Sequence, residues 1–61
     1  MKTVIYKVLG SYKATNEANY NARIQDARKV MDCSEFESPE EIKEYYIKYF
    51  GAKEDEFIVI D

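Results

Sequence analysis

The residues of this chain whose type and spacing could do chemistry are its carboxylates. Asp32, Glu35, Glu37, Glu40, Glu41 and Glu44 crowd into one short segment, a density that suits a cation site or a general acid and base pair. The calcium loop of an EF-hand takes ligands at alternate positions, a central glycine and a terminal glutamate. Residues 32–43 lack the glycine and most of the ligands. The acidic run is therefore read first as a solvated face, with partner contact as the alternative reading, and neither a metal nor a cofactor is expected.

Other chemistry is scarce. The chain has no histidine, which removes the one side chain that titrates near neutrality unaided, together with the usual catalytic base and zinc ligand. Its single cysteine, Cys33, can build neither a thiolate zinc site nor an internal disulfide, and is read as a small residue near a helix end. With only Gly10 and Gly51, no glycine-rich phosphate loop is possible. The expectation is a non-enzyme. Lys2, Lys7, Lys13, Arg23, Arg28 and Lys29 accompany Tyr6, Tyr12 and Tyr20, types that suit phosphates and stacked bases. Against that stand a net charge of −3 and a pI near 4.9, which oppose the electrostatic term that dominates nucleic-acid affinity.

These residues need elements to hold them. Thr3 to Leu9 is β-branched and aromatic, with Val4, Tyr6 and Val8 on one face, and reads as a strand. Gly10 interrupts it, leaving Tyr12 and Lys13 either past a bulge or in a loop. Thr15 or Asn16 caps a first helix running to about Asp32, with Tyr20, Ile24, Ala27 and Met31 as its apolar stripe. Asparagines at 16, 19 and 21 weaken its first turns by competing for the backbone.

The second helix carries the strongest local signals. Ser38 is its N-cap, Pro39 its first residue and Gly51 its left-handed stop. Glu41 lies where serine and glutamate satisfy each other's backbone N–H groups. Ile42, Tyr45, Tyr46, Tyr49 and Phe50 form its core stripe, the tyrosines filling a thin core with their hydroxyls wet. Glu44 and Lys48 make a surface pair of about 0.2–0.5 kcal/mol. Ile47 falls about 140° from Ile42, off that stripe, and either meets the first helix or is exposed. Phe57 to Ile60, continuously apolar, is a second strand, covered on both faces or central.

The expected fold is a single α+β domain over residues 1–61, strand-helix-helix-strand, with two helices packed on a short antiparallel two-stranded sheet. A chain of this length buries only about 60% of its unfolded surface, so its stability is marginal. Its longest apolar run is far short of the roughly 20 residues that span a bilayer, and a cytoplasmic location is expected. Residues 1–31 hold six basic and two acidic residues, net +4, and residues 32–61 hold three basic and ten acidic, net −7. That asymmetry bears on partners.

By elimination, the expected function is a non-enzymatic protein-binding module that docks on a larger protein and modulates or inhibits it. Glu35, Glu37, Glu40, Glu41, Glu44 and Ile47 would meet a basic surface on that protein. Read as a whole chain from Met1, its size and acidity parallel the small inhibitors that bacteriophages make against host enzymes. The alternatives are a small nucleic-acid-binding protein using the basic N-terminal half, and a structural homodimer joined through sheet edges.

Overall fold

Strand β1, Thr3–Val8, forms as expected, but the chain then turns back on itself. In the computed structural model, which describes residues 2–60, Leu9 and Gly10 both take positive φ, at 50° and 83°. Two such residues between paired strands make the tight turn whose twist matches a hairpin. Ser11–Asn16 is thus a full strand, β2, paired antiparallel with β1 from Thr3 opposite Asn16 to Val8 opposite Ser11. Met1 and Asp61, the latter counted among the acidic residues above, lie outside the described residues.

The long first helix is not there. Helix α1 covers only Glu17–Asn21, capped by Asn16, whose side chain accepts from the Asn19 N–H at 2.7 Å. It stops because Arg23 turns left-handed, at φ 61°. The Arg23 and Ile24 N–H groups donate back to the Tyr20 and Asn19 carbonyls, at 3.1 Å each, the double bond of a Schellman stop with arginine where glycine is usual. Asp26 then nucleates a second turn, its carboxylate accepting from the Arg28 N–H at 2.9 Å and its carbonyl from the Lys29 N–H at 2.8 Å. The Thr15 hydroxyl pins this segment to the sheet by donating to the Lys29 carbonyl at 2.9 Å.

Strand β3, Met31–Asp32, pairs antiparallel with β2. Helix α2, Pro39–Phe50, then carries the chain across the sheet to β4, Phe57–Val59, which pairs parallel with β1, as a helical crossover allows. The order is β3-β2-β1-β4. A mixed four-stranded sheet with one substantial helix thus replaces the expected two-stranded antiparallel sheet with two helices. The stretch expected to be covered on both faces or central, Phe57–Ile60, instead supplies the edge strand β4, with Val59 exposed.

Both faces of the sheet are covered. On one, Ile5 and Ala14 pack with Cys33 and Ile42, ringed by Tyr12, Met31, Phe36, Tyr46 and Phe57. Strand alternation puts Val4, Tyr6, Val8, Lys13 and Thr15 on the other, facing α1 and the turns that follow it. Val4, Thr15 and Val30 are buried there, and the Tyr6 and Tyr20 rings meet edge to face with centroids 5.0 Å apart. No helix among the described residues is long and apolar enough to cross a membrane.

Candidate functional site

Helix α2 presents the acidic residues, and local chemistry fixes where it begins and ends. The Ser38 hydroxyl accepts from the Glu41 N–H at 3.4 Å, Pro39 opens the helix, and Gly51 closes it at φ 69°. The reciprocal half of the capping box is displaced by one residue. The Glu41 carboxylate accepts from the Glu37 N–H at 3.2 Å, not from that of Ser38, so Glu41 ties the preceding turn to the helix. Glu40 and Glu41 in the first turn complement the helix dipole.

Glu35 and Glu37 lie before α2, and Glu40, Glu41 and Glu44 along its first two turns; all five are exposed. Glu40 reaches Lys43 at 3.8 Å. The Glu44–Lys48 pair does not form within 4.0 Å; the Lys48 ammonium instead sits over the Tyr49 ring, 5.4 Å from its centroid. Ile47 is half-buried. It has no long first helix to meet, because α1 packs against β1 and β2 on the sheet's opposite face.

The apolar stripe of α2 is only partly a core stripe. Ile42 is fully buried and Tyr45 and Tyr46 half-buried, but Tyr49 is 61% and Phe50 62% exposed. Past Ile47 the helix faces solvent. Its rings still touch one another, with Tyr45 at 5.5 Å from Phe36, 4.8 Å from Tyr49 and 5.8 Å from Phe50. Phe50 lies 5.1 Å from Tyr46, which continues to Phe57 at 6.1 Å. A continuous aromatic row therefore runs from Phe57 of β4 over α2, with Phe36 beside the acidic turn at one end and the exposed rings of Tyr49 and Phe50 in the last turn of the helix at the other. The sequence listed these rings as core, and the signal for their exposure lay in how little sheet there is to cover.

Two titratable groups line the inner side of this helix. Burial pushes the Cys33 thiol up to about 11, with the Asp32 carboxylate adding to the shift. Burial likewise pushes the Tyr46 hydroxyl up to about 12, and that hydroxyl donates to the Met31 sulfur at 3.3 Å. Both groups are protonated at neutral pH and serve packing. The described residues contain no cluster of three or more acidic or cysteine side chains placed to hold a metal ion.

A second feature escaped the sequence reading. Between the sheet face carrying Tyr6, Val8 and Lys13 and the segment carrying Tyr20, Arg23 and Ile24 lies a cleft of about 570 Å³. Burial and then the neighbouring Tyr20 raise the pKa of Tyr6 beside it. The basic and aromatic residue types were legible, but their grouping depended on an unforeseen strand. The hairpin tip holds one more oddity, a fully exposed Leu9, for which nothing in the structure gives a packing reason. Compared with protein-family models, with curated proteins and with solved structures, the chain finds no match.

Proposed function

We propose that this chain is a non-enzymatic protein-binding module, acting in the cytosol, that docks the outer flank of α2 on a basic surface of a larger protein and thereby modulates it. The observation that carries this reading is the pair of exposed rings, Tyr49 and Phe50, in the last turn of α2, on the helix whose first two turns and preceding segment expose Glu35, Glu37, Glu40, Glu41 and Glu44. Exposed aromatics supply contact area at low entropic cost, and tyrosine is enriched in interface hot spots. Flanking carboxylates steer a basic partner and favour its approach. The parallel with bacteriophage inhibitors is one of size and charge, and carries none of this reading.

The experiment is affinity capture from a bacterial lysate with three folded baits: the intact chain, a variant with Glu37, Glu40, Glu41 and Glu44 changed to Gln, and a Tyr49→Ser/Phe50→Ser variant. A protein retained by the intact chain, lost by both variants and released by moderate salt supports the reading. Equal capture by all three baits, or capture by none, rejects it. A second reading, the sheet-edge homodimer, is favoured by the position of β4 at an open edge with Val59 exposed. Sedimentation at high micromolar concentration separates the two, since a monomer there rules the dimer out.

A further inference from the structure

The cleft on the opposite side of the sheet is independent of the α2 flank. Its volume of about 570 Å³ falls within the roughly 300–1,000 Å³ typical of small-molecule sites. Val8 and Ile24 and the buried Val30 line it beside the two tyrosine rings, walls that suit a flat apolar body. Its charged lining residues are Lys13, Arg23 and Asp32. Lys13 stands opposite Asp32 across the β2–β3 pairing, without an ion pair within 4.0 Å between them; their charges sum to zero, and the net charge of the lining is that of Arg23.

Arg23, like Leu9, also holds a left-handed backbone, and it alone of the two lines the cleft. It occupies the left-handed position of the α1 stop, at φ 61°, where glycine is the unstrained choice. A residue kept against its local preference at the rim of a cleft is the pattern of a site where function overrides local stability. The ion pairs among the described residues are Arg28–Asp26 and Lys43–Glu40, so no carboxylate of the described residues lies within 4.0 Å of the Arg23 guanidinium.

We infer that this cleft binds a small aromatic anion, one or two fused rings bearing a carboxylate. The ring system lies among Tyr6, Tyr20 and Ile24, and the carboxylate is held by the Arg23 guanidinium, whose fork matches two carboxylate oxygens. One arginine fixes one compact anion. A polyanionic strand would need several cations, and the acidic residues of α2 give the whole molecule a net negative charge that opposes it.

The test is an amide NMR titration of the intact chain with naphthoate and, separately, with neutral naphthylmethanol. Naphthoate is expected to bind saturably, with shifts confined to residues 6–8, 13 and 20–32, and about fivefold more tightly than the alcohol. Arg23→Gly is the decisive variant, because it relieves the left-handed strain and keeps the fold. It is expected to reduce naphthoate affinity to that of the alcohol while leaving the alcohol unchanged. The inference is overturned by the absence of saturable shifts, by shifts centred on α2, by equal affinity for the two probes, or by an Arg23→Gly variant that binds naphthoate as the parent does. It is equally overturned if a short single-stranded oligonucleotide shifts the cleft residues and naphthoate does not.

Discussion

Two residues in this chain hold backbone conformations that their side chains disfavour, and they mark where local preference and the fold disagree. Among the described residues, Leu9 and Arg23 are the non-glycine residues with positive φ, at 50° and 61°. An L-residue in the left-handed region costs about 1–2 kcal/mol unless it is glycine or a short polar residue. Leu9 contributes no packing to offset that cost, since it is fully exposed at the hairpin tip. Leu9→Asn would place Asn-Gly in this turn, the pair a two-residue hairpin prefers. It is expected to stabilise the fold by about 0.5–1 kcal/mol, read as a higher urea midpoint with an unchanged slope. A midpoint that falls would mean that the Leu9 side chain packs on something in solution.

At the scale of elements, α2 was legible and the first half of the chain was not, and the difference is whether the deciding interactions are local. Ser38, Pro39 and Gly51 define α2 from within the helix and its caps. The length of α1 is decided instead by an arginine acting as a glycine and by the Asp26 turn, neither of which interrupts the Tyr20, Ile24, Ala27 periodicity. Strand β2 was hidden because its sequence, Ser-Tyr-Lys-Ala-Thr-Asn, is mostly polar and takes its identity from pairing with β1 and β3. Missing it also hid the cleft, whereas the acidic flank, lying on α2 and the turn before it, could be listed from sequence. The overestimated core of α2 gives a direct test. Ile42 is fully buried against Ile5, Ala14 and Cys33, so Ile42→Ala is expected to cost about 2–5 kcal/mol, enough to unfold most of a domain this small. Tyr49→Ser, at the exposed end of the row, is expected to cost less than about 1 kcal/mol. Urea titrations of the two variants check the contrast, and comparable losses would place Tyr49 in the core after all.

For the whole molecule, the sheet divides charge as well as space. Glu35, Glu37, Glu40, Glu41 and Glu44 lie on or just before α2 on one side, and Lys13, Arg23, Arg28 and Lys29, with Asp32 beside Lys13, belong to the other face or the segment packed over it, so part of the imbalance along the chain becomes an imbalance across the fold. Beneath α2 the groups with the largest upward shifts, Cys33 and Tyr46, are neutral at physiological pH, and they are expected to set the alkaline limit of stability. Their ordinary values are 9.0 and 10.0, and in the fold they rise to about 11 and about 12. Each neutral form is thus favoured by the folded state, and the unfolded chain loses its proton first. Their contribution is complete below pH 9 and declines as the unfolded chain ionises, through the folded values near 11 and 12. The urea midpoint is accordingly expected to hold between pH 7 and 8.5 and to fall steadily above pH 9. Cys33→Ala should remove the earlier part of that fall and Tyr46→Phe the later part, each at some cost in the plateau. Ionised Cys33 also raises the Tyr46 value, so the double variant should flatten the alkaline limb by a different amount than the two single changes predict together. If the limb keeps its slope in both single variants, general repulsion in an increasingly negative chain is the cause, and the packing of these two groups under α2 is not what limits stability at high pH.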